Sequence, residues 1–336
     1  MTARARTHVS HRPFQLTQTE PYVPIDPIVA NLLLQLPPPQ PIADPVLRLQ
    51  TEKATLNSIA AQLAEPYPEV TDRKLVTIPV EGGDIELLIY TPPTPGPHTG
   101  YLFFFGGGFR GGSIHYGLND GACRERCIAA NAVVVAVGYR LAPKHPFPTA
   151  LNDGYAALLW VAEHAEELGI DSDRLVIGGQ SSGGNIAASL SLLARDRSGP
   201  KIALQLLEVA ALDLTWRTQL HEYDKGYILE KPEINQITHD LFSDSTDAES
   251  PYVSPAWAED LTNLPRAVIL TSEFDLTRGS CELYARRLLQ AGVTVTYTMA
   301  EGQIHASPAL TNILPAARVW RDNVITALRS VTTLKK

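Results

Sequence analysis

The chain is short of cysteine, of clustered positive charge and of long apolar runs, and each shortage removes a class of protein. Its three cysteines, Cys123, Cys127 and Cys281, are too few and too odd in number for a disulfide framework. The spacing of the first two suits one face of a helix rather than a C-x-x-C redox or zinc pair. They read as ordinary helix residues. The histidines show no H-E-x-x-H spacing and no Cys/His cluster, so neither a metal site nor a cofactor is expected. With 28 Lys+Arg against 36 Asp+Glu the net charge is −8, and no Lys/Arg run supplies the basic face that nucleic acid or an anionic membrane needs. No stretch approaches the roughly 18 apolar residues of a membrane span, and no apolar segment follows the charged N-terminus as a secretory signal would require. The expectation is a cytoplasmic protein with no nucleic-acid partner and no membrane span, whose ligand is a small neutral or weakly polar molecule. The assembly stays open, a homodimer included.

What is present is a hydrophobic fraction of 44% beside 19% charged residues, enough for a large core. Residues 12–45 hold Pro21, Pro24, Pro27, Pro37, Pro38, Pro39, Pro41 and Pro45, a density that breaks regular structure; they read as an irregular arm with one brief helix over 28–36. The pattern from Val46 to Leu63 predicts an amphipathic, hence docked, helix over 45–64. Runs at 75–80 and 85–90, joined by Glu81-Gly82-Gly83-Asp84, predict an antiparallel hairpin. Strands at 101–105, 132–139, 175–178, 204–209, 267–272 and 293–298 then alternate with helices near 117–130, 149–168, 184–196, 279–291 and 313–331. Continuous apolar strands such as 132–137 are covered on both faces, the mark of a parallel sheet between helices. There is no internal repeat. The polar stretch 213–258 interrupts the alternation; an insertion of that length at the C-terminal edge of a sheet lies beside the usual ligand crevice and is a candidate lid.

The most informative residues are Gly179-Gln180-Ser181-Ser182-Gly183-Gly184, between a predicted strand and a predicted helix. A bare G-x-S-x-G arises by composition in about one chain in ten of this length. In a strand–turn–helix setting it acquires a reason: the reversal is so sharp that a neighbouring Cβ would clash, and the serine hydroxyl projects at a helix N-terminus. Such a serine needs an imidazole to take its proton and a carboxylate to orient that imidazole. The strand 267–272 runs into Glu273-Phe274-Asp275, and the strand 293–298 runs into a loop carrying His305. Asp275 and His305 are therefore the chosen pair, with Glu273 a rival acid and a helix cap the competing role for Asp275. Attack on a carbonyl also needs N–H donors for the oxyanion. Gly106-Gly107-Gly108, directly after the strand 101–105, lets backbone approach a substrate closely, and the Ser182 N–H is a further donor. The loop lacks the pattern of a phosphate-binding turn.

The Gly-Gly-Gly-Phe loop, the segment Tyr139-Arg140-Leu141-Ala142-Pro143, the Ser181 elbow and the stretch from Ser254-Pro255 to Asp275 together resemble the hormone-sensitive-lipase family of α/β-hydrolases. The resemblance spans roughly residues 70–330 in the family's order. It implies an α/β-hydrolase fold, a mostly parallel central sheet flanked by helices, with a helical cap. The core would be 71–212 and 259–336, and the cap would combine the N-terminal arm and helices of 1–70 with the insertion 213–258 after the sixth core strand. It further implies a carboxylesterase-type enzyme with Ser181, Asp275 and His305 as triad and Gly107, Gly108 and Ser182 as oxyanion donors. Departures stand beside the agreements. Phe105 occupies the loop position where the family usually has histidine, so a ring that can only pack replaces one that can hydrogen-bond. Gln180-Ser181-Ser182 replaces the common Asp-Ser-Ala, Ala306-Ser307 follows His305 in place of Gly-Phe, and Asp275-Leu276-Thr277 replaces Asp-Pro-Leu. The leading expectation is hydrolysis of a small or medium carboxylic ester through an acyl-enzyme. The alternatives are the same machinery turned to acyl transfer, cyclisation or elimination on a specialised metabolite, and a non-catalytic ligand receptor on the same scaffold.

Overall fold

The computed structural model describes residues 6–8, 24–35, 45–219, 223, 227–243 and 246–331. In chain order the strands are β1 (Arg6–His8), β2 (Asp72–Val80), β3 (Gly83–Thr91), β4 (His98–Phe104), β5 (Ala132–Gly138), β6 (Ile170–Gln180), β7 (Leu204–Glu208), β8 (Arg266–Phe274) and β9 (Val295–Ile304). The helices are α1 (Pro27–Gln35), α2 (Pro45–Leu63), α3 (Gly117–Ala130), α4 (Thr149–Glu163), α5 (Ser182–Asp196), α6 (Lys231–Leu241), α7 (Arg278–Gln290) and α8 (Pro315–Arg329). The strands form one sheet in the order β1-β9-β8-β7-β6-β4-β5-β3-β2. The six strands from β5 across to β9 are parallel to their neighbours, and antiparallel pairs close both edges. The hairpin expected from the Gly-Gly turn is β2–β3.

Parallel strands buried on both faces are largely apolar, as β5 is and as β4 is beyond His98 and Thr99: every residue of β4 is buried, as are the six from Ala132 to Val137. Side-chain alternation sends Tyr101 and Phe103 toward α3, where the Arg126 guanidinium lies over both rings, and Phe104 toward α4, where it meets Gly154. α3 packs with α8 on the first face and α4 with α5 on the second. Helices on both faces leave the C-terminal ends of β4, β6, β8 and β9 open at one edge, the place where open α/β sheets hold ligands.

Several boundaries differ from the sequence pattern. The helix expected over 149–168 stops at Glu163, because the chain turns through Gly169 at φ 65° and Ile170 N donates back to Ala165 O at 2.7 Å. β9 continues past 298 to Ile304, since it regains register with β8 beyond an irregularity and pairs Ile304 with Phe274; the polar residues Glu301 and Gln303 hide that extension in the sequence. The helix 45–64 forms, but docks through its C-terminal half: Ile59, Ala60 and Leu63 are half-buried while Leu47 is 52% exposed. Most of the Pro-rich arm lies outside the described residues, and what is described of it is 24–35, which holds α1, and Pro45 at the start of α2. The candidate lid lies between β7 and β8 and carries α6, whose Ile234, Ile237 and Leu241 are buried; residues 220–222, 224–226 and 244–245 of it lie outside the described set.

Two apolar clusters result. The larger fills the spaces between sheet and helices. The smaller sits at the open edge and gathers Val29 of α1, Phe274, Ile304 and Leu314, with Leu63 of α2 and Tyr227 packed against it. No helix among the described residues is long and apolar enough to cross a membrane.

Candidate active site

Ser181 stands between β6 and α5 with φ 54° and ψ −118°, a conformation that side chains other than glycine rarely adopt and that persists only where the surroundings over-determine it. They do. Ser181 N donates to Glu208 O at 2.9 Å, and Ser181 O accepts from Asn185 N at 3.1 Å and Ala211 N at 3.2 Å. The flanking glycines are steric requirements: a Cβ on Gly179 would lie 2.3 Å from Phe104 O, and one on Gly183 would lie 2.1 Å from the same atom. The elbow is thus pressed against the end of β4, and the Ser181 side chain faces the cavity.

His305 and Asp275 come from the loops after β9 and β8. His305 Nδ1 lies 2.8 Å from Asp275 Oδ2, and the carboxylate is buried at 2% exposure. The other oxygen, Oδ1, accepts from Thr277 N and Thr277 Oγ1, each at 2.9 Å, so the carboxylate cannot rotate away. This hydrogen bond puts the proton on Nδ1 and leaves Nε2 as the free acceptor. Burial pulls the His305 pKa down, but the Asp275 charge, the hydrogen bond to it and the charge of Glu233 outweigh burial and leave it above the ordinary 6.5. The rival acid is occupied elsewhere: Glu273 Oε2 accepts from Gly302 N at 2.7 Å.

The glycine loop follows β4. Gly107 has φ 138° and Gly108 φ 59°, and a Cβ on Gly108 would sit 2.7 Å from Ile237 of α6. Among the described residues no acceptor is paired with the N–H of Gly107, Gly108 or Ser182. Phe105, in the position where a histidine would hydrogen-bond, is 1% exposed and stacks on Tyr139 with ring centroids 4.2 Å apart. The missing polar contact is supplied from the other side, because Tyr139 Oη donates to Phe105 O at 2.7 Å. The Tyr-Arg-Leu-Ala-Pro segment therefore holds the loop, and Arg140 behind it is clamped by Asp153 through Nη2 at 2.7 Å and Nε at 3.0 Å.

Ser181, His305, the glycine loop and Ser182 all line one cavity of about 400 Å³. Ser182 Oγ, the second hydroxyl beside Ser181, is buried without a hydrogen-bond partner among the described residues. Sequence reasoning missed Thr277 as the clamp on Asp275, Glu233 of α6, and the buried pair Arg126 and Glu208, all of which line the cavity. The last had a signal: a charged residue at the end of a mostly apolar strand, next to the elbow, is not a solvated face. Cys123, Cys127 and Cys281 are buried free thiols, and burial raises the Cys127 pKa to about 12, which keeps it an unreactive thiol.

Comparison with known proteins bears on this geometry. The sequence profile of the α/β-hydrolase fold family matches residues 101–308. The chain is similar to the esterase LipI of Mycobacterium tuberculosis, 34% identical over 91% of this chain and 95% of that protein. It is also similar to an arylesterase of Saccharolobus solfataricus, 33% identical over 84% and 92%. Among solved structures, a hyperthermophilic esterase from Pyrobaculum calidifontis superposes with a TM-score of 0.82 at 33% identity, covering 92% of this chain and 100% of that one.

Proposed function

This chain belongs to the hormone-sensitive-lipase-like family of α/β-hydrolases, and on that premise we propose that it is a carboxylic ester hydrolase working through a Ser181 acyl-enzyme. The observation that carries the reading is the His305 Nδ1–Asp275 Oδ2 contact of 2.8 Å, made by an imidazole that lines the same cavity as Ser181. His305 Nε2 takes the Ser181 Oγ proton as Oγ attacks the ester carbonyl, and the imidazolium that forms is stabilised by Asp275. The carbonyl oxygen, now negative, is received by the N–H groups of Gly107, Gly108 and Ser182, each such donor being worth about 10²–10³ in rate. His305 then gives its proton to the leaving alcohol. In the second half the same nitrogen activates a water that releases the acid.

The cavity volume of about 400 Å³ lies in the lower part of the usual range for small-molecule sites, which supports a small or medium ester. We divide the chain into a core of 71–212 and 259–336 and a cap formed by 1–70 with 213–258, except that β1 within 1–70 joins the core sheet beside β9; the division is supported by the packing of Ile237 on Gly108 and of Val29 in the cluster at the open edge. The test is intact-mass detection of an acyl adduct after brief exposure to a mixed ester library. The wild-type protein gains the mass of an acyl group, located at Ser181 by peptide mapping; an adduct elsewhere, or none beside measurable turnover, overturns the reading.

A further inference from the structure

The cavity has walls of two kinds. Toward α6 it is lined mostly by apolar side chains, Leu214, Trp216, Ile228, Leu229 and Ile237, with Glu233 the one acid among them. Toward α3 and α8 it reaches Asn119, Glu125, Arg126, Glu208, Trp320 and Arg321. Arg126 Nη2 donates to Glu208 Oε1 at 2.7 Å, and Trp320 Nε1 donates to Glu208 Oε2 at 2.8 Å. Arg126 Nη1 donates to Tyr101 Oη at 3.3 Å. The side chains of Arg126 and Glu208 are 6% and 1% exposed. Moving such a pair out of water is unfavourable, and apolar residues of like volume commonly serve stability as well or better. A pair of this kind facing a reaction cavity, where a leucine would do for the fold, calls for a role in the cavity.

We propose that the branch between α3 and α8 is a polar subsite, built on Arg126 and Glu208, that receives a neutral hydrogen-bond acceptor such as an ether or carbonyl oxygen carried by one side of the ester. This deepens, and rests on, the reading of Ser181 as nucleophile. Proximity supports it: Glu208 is the residue whose carbonyl accepts the Ser181 N–H, so the pair begins one strand away from the attacking hydroxyl. Hydrogen-bond sense supports it: both oxygens of Glu208 are engaged, whereas the Arg126 guanidinium carries more donors than its bonds to Glu208 and Tyr101 use. What the pair can offer a ligand is donors, so the ligand supplies an acceptor. Charge completes the description. Glu125 and Glu208 offset Arg126 and Arg321 on this side of the lining, with Glu233 on the α6 side, so a substrate carboxylate here would face the two acids and an ammonium the two arginines. A neutral acceptor meets neither penalty.

The double variant Arg126→Met/Glu208→Leu tests this, because it removes both partners together and leaves no unpaired buried charge. Two pairs of esters differ only by oxygen in place of methylene. p-Nitrophenyl methoxyacetate against p-nitrophenyl butyrate probes the acyl side, and methoxyethyl acetate against butyl acetate probes the alcohol side. Comparing the kcat/KM ratio within a pair between wild type and variant cancels the intrinsic reactivity of the ether. The ether-to-alkyl ratio is expected to fall about tenfold or more in the variant for one pair, and that pair identifies the side of the ester that enters the branch. Unchanged ratios in both pairs overturn the proposal. Ala122→Leu gives a second reading with the charged pair intact, since it fills the branch from α3: kcat/KM for the ether ester of the responsive side is expected to fall about tenfold relative to a short acetate, and an equal effect on both counts against the subsite. Fluorophosphonate labelling of the wild-type protein reads the nucleophile separately. Labelling at Ser181 with unchanged ratios sinks the subsite alone, whereas absence of labelling sinks the Ser181 reading.

Discussion

Beneath the cavity, Ser181 is held by three backbone hydrogen bonds and by glycines that sit against Phe104 O. Above it, α6 meets the glycine loop through side chains: Ile237 on Gly108, and Arg110 Nη1 on Asp240 Oδ2 at 3.1 Å. The floor is therefore made of main chain, and changing a residue there means moving main chain. The roof is made of replaceable side chains on one helix. The difference separates the two tasks of an enzyme site. Positions where the reacting atoms must meet within a fraction of an ångström are set by the stiffest material available, while the walls that sort substrates can vary without disturbing them.

Substitutions on floor and roof should differ in kind, and the largest effect is expected at the nucleophile. Ser181→Ala should lower kcat by about 10⁵–10⁶, read from steady-state turnover of a p-nitrophenyl ester; retained turnover would mean the floor does not hold the attacking group. Asp275→Asn should cost about 10⁴ in kcat by favouring the wrong imidazole tautomer, and Glu273→Gln much less. The reverse order would transfer the acid's role to the carboxylate now bonded to Gly302. Gly183→Ala places a Cβ 2.1 Å from Phe104 O, an overpacking with no flexible neighbour to yield. Chemical denaturation should show a loss of about 3 kcal/mol or more, and a neutral result would break the claim that the floor is rigid main chain. On the roof, Ile237→Ala should raise KM several-fold, about three- to tenfold, and more than it lowers kcat; a loss confined to kcat would blur the two regions.

The smallest effect sharpens the comparison by pH. His305 must be neutral to accept a proton, so kcat/KM falls as pH drops through its pKa, which lies above 6.5 because Asp275 and Glu233 outweigh burial. Glu233→Gln removes one of the raising charges, so the acid limb should move to lower pH. A limb that stays in place would show that the roof exerts no electrostatic hold on the floor.

Much of this was legible because the relevant constraints are local. The elbow is a short-range matter of glycines around a serine between strand and helix, and the triple glycine after β4 announces itself in the same way. The place of Asp275 past the end of its strand favoured it over Glu273, two residues earlier, but what secures that choice was not local. It depended on Gly302 N taking the glutamate and Thr277 clamping the aspartate, contacts set by how β8 and β9 lie together. Phe105 looked like a loss of loop anchoring, and only the fold brought Tyr139 across to restore it. Arg126 and Glu208 are 82 residues apart, and Trp320 is farther still along the chain. No periodicity could have shown that the three meet at the wall of one cavity.

By itself the amino-acid order determined the alternation of strands and helices, the α/β class and the residues able to attack, accept a proton and receive an anion, because backbone geometry and burial patterning act over a few residues. The tertiary structure alone decided what clamps the Asp275 carboxylate against the imidazole, what steadies the glycine loop and which charges face the cavity. Those outcomes depend on distances between segments remote in the chain, and such distances exist only once the sheet has closed and the helices have packed on it.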